Sequence, residues 1–231
     1  MAGSQSELRA NSGAVNSADQ TQPLRAIILG IGNLLWADEG FGIRAVESLH
    51  ARYQFPDNVE VMDGGTQGIY LVQHVQRCDL LVVFDAIDYG LAPGTMKVIQ
   101  GDDVPKYMGV KKMSLHQTGF QEVLAMAEFT GHYPQHLILI GVQPVELEDF
   151  GGSLRPAVQA QVAPAISVAL EYLHTFGIHP QLRDQPLPPQ EQLAPTELQQ
   201  HRYEAGRPSE VDACRLGDER FLNDTTDERN N

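Results

Sequence analysis

The sequence predicts an α/β fold in which helices cover both faces of an open, mostly parallel sheet. Short apolar runs of strand length alternate along the chain with segments whose apolar residues recur at helical spacing. This alternation is typical of parallel strands joined by crossover helices. The runs at 25–30 and 136–142 are almost entirely apolar, as expected of strands that are buried on both faces.

Three strands are predicted in the first half of the chain. Each is an apolar run that ends at a glycine or just before an aspartate: residues 25–30, 59–62 and 79–84. Between them, apolar residues recur every three or four positions, which predicts helices at 42–53 and 69–75.

The second half supplies two further strands, at 95–100 and 136–142. Helices are expected at 119–129 and 158–176, where apolar residues follow one face. Pro164 is expected to kink the last helix or to lie near its first turn, because proline has no backbone N–H to donate. The complete prediction is a three-layer α/β/α fold with a twisted, mostly parallel, five-stranded sheet.

The two ends of the chain differ from this middle part. Residues 1–23 are polar and predict a flexible N-terminal extension, whereas 24–179 form one α/β domain. Residues 180–231 are rich in Pro and Gln and are acidic toward the end, so we predict a largely disordered tail. Within it, Leu193 and Leu198 could seat a short helix.

Composition excludes several classes of function. The net charge is −14, and the adjacent basic pair Lys111-Lys112 is too small to attract a phosphate backbone, so no nucleic acid partner is expected. We predict no membrane span and no secretory signal, because apolar stretches of the required length are absent from the sequence. Two cysteines far apart, Cys78 and Cys214, fit a reducing compartment. The expectation is a cytoplasmic monomer.

Polar groups gather where predicted strands end. In open α/β sheets, ligands bind at the carboxyl ends of the strands. Glu39 lies in the loop after the first strand, the turn Asp63-Gly64-Gly65-Thr66 follows the second, and Asp85 follows the third. His116 precedes the helix at 119–129. Two carboxylates and an imidazole suit a borderline divalent ion with open coordination positions.

Each of these residues also has a purely structural interpretation. Asp38 and Glu39 stand at a helix N-terminus, where acidic side chains act as caps, and Asp38 is the better candidate for that role. Asp85 could form an Asx turn before Tyr89-Gly90. His116 could be a solvated loop residue. A functional site is nevertheless favoured, because Glu39, Asp85 and His116 are expected to come together at the ends of the strands.

Five motifs carry a resemblance to a known family. In order and spacing they resemble the nickel-iron hydrogenase maturation proteases, over roughly residues 25–177. The motifs are Gly30-Ile31-Gly32-Asn33, Asp38-Glu39-Gly40-Phe41-Gly42, Asp63-Gly64-Gly65-Thr66, Asp85-Ala86-Ile87 and Ser114-Leu115-His116-Gln117.

The resemblance implies an activity and a set of site residues. It implies an aspartyl-type endopeptidase that removes a short C-terminal peptide from the hydrogenase large-subunit precursor after nickel insertion. Glu39, Asp85 and His116 would be the ligands of nickel that arrives with the precursor. Asp38 and the turn Asp63-Gly64-Gly65-Thr66 would support substrate recognition, and Asp38 is the candidate for proton transfer.

Two other classes remain open from the sequence. A non-catalytic nickel carrier would use the same ligands without cutting a substrate. A nucleotide-binding module would use the Gly30–Gly32 turn, which begins like a dinucleotide fingerprint, with Asp63 in place of the ribose-binding acid. Leu35 stands where that fingerprint requires Gly or Ala, which counts against this class.

Overall fold

The structure is a computed structural model that describes residues 23–108, 115–185 and 187–207. Its main sheet has five strands: β1 (Ala26–Ile31), β3 (Val59–Gly65), β4 (Leu80–Ala86), β5 (Met96–Gln100) and β6 (His136–Val142). They lie in the order β3-β1-β4-β6-β5. Neighbours are parallel, except that β5 runs antiparallel to β6. A second, two-stranded sheet pairs β2 (Tyr53–Gln54) with β7 (Gln181–Leu182).

Helices cover both faces of the main sheet. Because neighbouring residues of a strand point to opposite faces, Ile28 and Val82 belong to one apolar core while Leu29 and Val83 belong to the other. The first face is covered by α1 (Phe41–Arg52), α5 (Pro156–Gln159) and α6 (Val162–His174). The second is covered by α2 (Val72–Val75), α3 (Asp103–Met108) and α4 (Leu115–Phe129). The predicted three-layer fold is confirmed.

Differences from the prediction concern the ends of elements. β4 extends past residue 84, so that Asp85 lies within the strand rather than in the following loop. The helix predicted at 158–176 is divided into α5 and α6. Pro164 lies in the first turn of α6, where its missing N–H breaks no helical hydrogen bond. Within the described residues, no helix is both long and apolar enough to cross a membrane.

Residues 187–207 belong to the tail that the composition predicts to be largely disordered. This segment forms two short 3-10 helices, Pro189–Glu191 and Thr196–Leu198, and the helix α7 (Gln200–Ala205). Leu193 packs against the core and Ala194 is buried, and polar side chains supply the hydrogen bonds that attach the segment to the domain. Because these few apolar residues form no periodic face, the composition did not indicate order. Residues 1–22 and 208–231, for which extension and disorder were predicted, lie outside the described residues.

A close approach of backbones fixes α1 against the carboxyl ends of β1 and β4. A Cβ added to Gly42 would collide with the carbonyl oxygens of Ile31 and Phe84, and one added to Gly30 would collide with the Gly42 carbonyl. Glycine at both positions therefore lets the first turn of α1 sit directly on the two strand ends.

Replacing Gly42 with alanine is expected to destabilise the fold by roughly 1–3 kcal/mol, because two backbone oxygens must move to admit the methyl group. Urea denaturation measures the change in the free energy of unfolding. Ser48→Ala, on the half-buried side of the same helix, is the control and should change little. Equal stability of Gly42→Ala and wild type would contradict the packing described.

Candidate functional site

Asp85 is a buried carboxylate at the carboxyl end of the central strand β4. It is 3% exposed, lies on the α4 side of the sheet with Leu81 and Val83, and is paired with Gly141 of β6. Burial raises the pKa of Asp85 well above its ordinary value, the Ala86 N–H opposes this, and the negative charge of Glu39 raises it further. Its Oδ2 has no hydrogen-bond partner among the described residues.

The Asx-turn interpretation of Asp85 is wrong. The turn before Gly90 is made by Asp88, whose Oδ1 accepts the Gly90 N–H at 2.9 Å. The side-chain amide of Gln143, just past β6, also donates to this oxygen at 3.0 Å. Asp85 therefore has no part in shaping the turn.

Glu39 lies on a short 3-10 helix, Ala37–Gly40, that leads into α1. This helix contacts β4, the strand that carries Asp85. The negative charge of Glu39 acts to raise the pKa of Asp85. Gly32 has φ +142°, and a Cβ there would collide with the carbonyl oxygen of Glu39. The Asn33 N–H donates to that same carbonyl at 3.2 Å. Glycine at position 32 thus makes room for the backbone carbonyl of Glu39. This packing explains why a glycine is present there, so no phosphate-binding role has to be assumed.

The predicted capping role is wrong for Asp38, because both oxygens of its side chain accept hydrogen bonds from residues more than a hundred positions away. Gly40, which has no side chain to accept a hydrogen bond, occupies the N-cap position of α1. The chain enters α1 directly from the 3-10 helix Ala37–Gly40, in which Asp38 and Glu39 are the acidic residues of the first turn. The capping role of Glu39 stays a prediction.

Asp38 instead joins two loops at the carboxyl edge of the sheet. Its side chain is fully buried. Oδ2 accepts the N–H groups of Val145 at 2.8 Å and Glu146 at 2.9 Å, and Oδ1 accepts that of Arg155 at 2.6 Å. Its own N–H donates to the Glu146 carbonyl at 3.1 Å. Three accepted N–H bonds favour a positioning role, and proton transfer by Asp38 stays a prediction.

The loop after β6, residues 143–155, is the part of the site that the sequence analysis missed. Besides the bonds to Asp38, Phe150 pairs with Trp36 as an isolated β-bridge, and the two rings meet edge to face with centroids 5.2 Å apart. The Gly151 N–H also donates to the Leu35 carbonyl at 2.7 Å. The rule that ligands bind at strand carboxyl ends applies to β6 as well, and would have indicated this loop.

The turn Asp63-Gly64-Gly65-Thr66 closes β3 at the same edge. Asp63 Oδ1 accepts the Gly65 N–H at 2.8 Å, and Gly65 has φ +47°, which favours glycine. Burial raises the pKa of Asp63, while this N–H and the charge of Arg44 act to lower it. Thr66 is exposed. The turn is therefore shaped by the side chain of Asp63, and Thr66 is open to solvent at its end. The part of the turn in substrate recognition stays a prediction.

His116 lies in the first turn of α4, the helix that covers the sheet face of Asp85. A Cβ on Gly119 would lie 3.3 Å from the Cα of Gly68, so the start of α4 contacts the segment that follows the β3 turn. The side chain of His116 lies outside the described residues. Among the side chains that are described, no group of three or more potential metal ligands occurs. The three-ligand nickel site therefore stays a prediction.

Cys78 has the environment of a packing residue. It is buried in the core between the sheet and α4, its Sγ donates to the Val75 carbonyl at 3.3 Å, and burial raises its pKa to about 12. We expect it to resist iodoacetamide at pH 8 in the native protein and to react after denaturation, because the thiolate is the nucleophile. Mass spectrometry of the peptides measures this. Rapid labelling of native Cys78 would contradict its burial.

Comparisons with known proteins agree with this architecture. The family model described as hydrogenase maturation protease matches residues 43–172. The hydrogenase expression/formation protein HoxM of Azotobacter vinelandii is 65% identical over 196 residues, which are 85% of this chain and 93% of that protein. The hydrogenase 2 maturation protease of Escherichia coli K12 is 42% identical over 156 residues, 67% of this chain and 94% of its own.

A solved structure gives the same result for the fold. The hydrogenase maturating endopeptidase HybD from E. coli superposes with a TM-score of 0.66 at 40% identity, over 69% of this chain and 98% of its own. The fold and these matches define a hydrolase of the endopeptidase class. The chain belongs to the hydrogenase maturation protease family.

Proposed function

We propose that this chain removes the C-terminal peptide of the nickel-iron hydrogenase large-subunit precursor after nickel insertion, and that Glu39, Asp85 and His116 recognise the inserted nickel. Family membership supports the processing role. One observation supports nickel recognition above the others: the buried carboxylate of Asp85, which interacts with the charge of Glu39 at the carboxyl edge of the sheet.

The electrostatics of the two acids favour a cation between them. Burial and the neighbouring charge both disfavour the ionised form of Asp85, and a divalent ion at this edge would stabilise both carboxylates at once. Two carboxylates and one imidazole leave coordination positions that ligands of the precursor could fill. Nickel is therefore proposed as part of the substrate rather than as a resident cofactor.

The proposed reaction is hydrolysis of one peptide bond of the precursor, which consumes a water molecule and releases a short peptide. Nickel held near the scissile bond would polarise its carbonyl. A carboxylate would accept the proton of the attacking water, as in an aspartyl-type endopeptidase. Asp38 is the sequence candidate for this group, and the three N–H bonds that it accepts make its substitution informative.

The proposal places the enzyme in the cytoplasm as a monomer that meets its precursor without nucleic acid or membrane as a partner. The widely spaced cysteines and the net charge of −14 support this setting. Size-exclusion chromatography with light scattering tests the oligomeric state; a mass near 25.4 kDa is expected, and a stable dimer would contradict it.

The test of the proposed function is to incubate the purified chain with nickel-loaded and with nickel-free precursor and to weigh the products by mass spectrometry. Release of a C-terminal peptide from the nickel-loaded form alone is the expected result. If neither form is cut while the chain takes up nickel, the protein is a carrier instead. Cleavage of both forms at the same rate would leave a protease that does not sense the metal.

A further inference from the structure

We propose that residues 187–207, called the strap here, position the 3-10 helix that carries Glu39, through a relay of Arg207, Asp149, Arg155 and Asp38. This inference deepens the proposed function, on which its catalytic consequence rests. The strap contacts the loop after β6 and the helix α1, and both of these hold the Glu39 segment in place.

The first contact of the relay joins the strap to the loop after β6. Nη2 of Arg207 lies 3.0 Å from Oδ1 and 2.8 Å from Oδ2 of Asp149. The Asp149 side chain is 7% exposed and that of Arg207 is 30% exposed, so water reaches this ion pair from the Arg207 side only in part. Burial acts to raise the pKa of Asp149, but the hydrogen bonds of Arg155 and Arg207 outweigh it and hold that pKa below its ordinary value. Asp149 is thus a carboxylate whose charged form is stabilised by Arg155 and Arg207, and it is called the node here.

The second contact passes from this node to Asp38. Arg155 donates from its Nη2 to Asp149 Oδ2 at 2.7 Å, and from its backbone N–H to Asp38 Oδ1 at 2.6 Å. Arg155 is therefore held at its side chain by Asp149 and at its backbone by Asp38. Asp38 directly precedes Glu39. Only Arg155 and Asp38 therefore lie between Asp149 and the candidate nickel ligand in this series of contacts.

The strap also reaches the same loop through a second bond. Ser153 Oγ donates to Glu204 Oε1 at 2.7 Å, and the side-chain amide of Gln200 donates to Oε1 of Gln159, at the end of α5, at 2.9 Å. The hydrogen bond of Ser153, followed by that of Gln200, lowers the pKa of Glu204. The Glu204 bond thus joins α7 to the loop that supports Asp38, and the Gln200 bond joins α7 to α5.

A third contact lies directly behind the Glu39 segment. The ring of Tyr203 lines the same small interior space as Ala37 and Gly40, the residues that open and close the 3-10 helix. The guanidinium of Arg44, 4% exposed, lies 5.6 Å from the centre of that ring and donates to the Leu198 carbonyl at 2.8 Å. The strap therefore contacts the surroundings of the 3-10 helix through Tyr203 as well as the loop that binds Asp38.

The inference is tested on the full-length chain with Arg207→Ala, Arg207→Lys and a matched control, Arg25→Ala. Arg25 forms an ion pair with Asp79 at 3.6 Å at the opposite end of the sheet. Hydrogen exchange is followed in peptides that cover 33–41 and 143–155, with β6 as the internal reference. The same proteins are assayed for kcat and KM with nickel-loaded precursor.

For Arg207→Ala we expect faster exchange at 33–41 and 143–155, unchanged exchange in β6, and a loss of roughly 10-fold in kcat/KM, as for residues that orient a metal ligand. Arg207→Lys should recover most of both, because a lysine can still donate to Asp149. Arg25→Ala should match wild type. This local pattern separates positioning from a general stabilising role, which would speed exchange throughout.

Either of two exchange results would overturn the inference: unchanged exchange at 33–41 in Arg207→Ala, or exchange that rises equally in β6. Unchanged kcat/KM despite faster exchange at 33–41 would also overturn it, because the strap would then not serve the site. Failure of the wild-type chain to cut the precursor is a different outcome. It contradicts the proposed function, and the exchange data then decide alone whether the strap positions the Glu39 segment.

Discussion

Asp85→Asn is expected to abolish processing of the nickel-loaded precursor while leaving the protein folded. Asparagine has the shape of aspartate but lacks the charge that a metal ligand supplies, so kcat/KM should fall at least about 100-fold. The side chain is buried at the end of the central strand, and its Oδ2 has no hydrogen-bond partner among the described residues. Mass spectrometry of the released peptide measures the rate.

The same substitution is expected to preserve or raise stability at neutral pH. A carboxyl whose pKa is raised in the folded state stabilises the fold fully below its unfolded pKa, and this contribution is lost as the pH rises through the folded pKa. For Asp85 burial is the largest cause of that rise, and Glu39 adds to it. Wild type should therefore lose stability relative to Asp85→Asn between acidic and neutral pH, as measured by urea denaturation.

Asp88→Asn is the matched control for Asp85. Asp88 is exposed, three residues further along, and the oxygen with which it accepts the Gly90 N–H has a counterpart in asparagine. It should cut the precursor at the wild-type rate. Processing by Asp85→Asn at a rate close to that of Asp88→Asn would show that the buried carboxylate is not required, and the assignment of the site would be wrong.

Asp38→Ala is expected to have the largest effect on stability. It removes the acceptor of three part-buried hydrogen bonds, from the N–H groups of Val145, Glu146 and Arg155, and a donor that is shielded from water and left without a partner costs about 1–3 kcal/mol. A loss of roughly 3 kcal/mol or more in the free energy of unfolding would follow, with loss of processing. Denaturation with urea and the precursor assay measure the two effects.

Asp38→Asn separates the two roles that remain for this residue. Asparagine keeps one acceptor oxygen, so some of the N–H bonds survive while proton transfer becomes impossible. A positioning residue should then show partial activity, together with faster hydrogen exchange in residues 143–155. Complete loss of kcat with unchanged exchange there would identify Asp38 as the proton-transfer group instead and contradict the positioning role.

The sequence predicted the sheet well because its three central strands, β1, β4 and β6, are buried along nearly their whole length and so have nearly unbroken apolar runs. The five strands and the larger helices follow from that pattern. The placement of Asp85 also followed, since a charged residue after five apolar ones must lie at the end of a buried strand. Periodicity determines which elements form and where they end, to within a few residues.

Roles that depend on contacts between distant segments could not be predicted. Asp38 has the spacing of a helix cap, yet it binds a loop more than a hundred residues away. The strap lacks an apolar stripe, and its attachment depends on pairs such as Arg207 with Asp149, which are 58 residues apart. Local composition carries no information about such distant partners. Asp38 was therefore predicted to cap the nearby helix, and the strap was predicted to be disordered.

The nickel site is tested by a nickel-edge anomalous difference map of crystals of the wild-type chain soaked in Ni²⁺. We expect a peak at the carboxyl edge of the sheet, bounded by carboxylate oxygens of Glu39 and Asp85 and an imidazole nitrogen of His116. The ring pair His174–His179, with centroids 4.9 Å apart on the surface, is the competing position. A peak there, with none between Glu39 and Asp85, would show that the assignment of the nickel ligands is wrong.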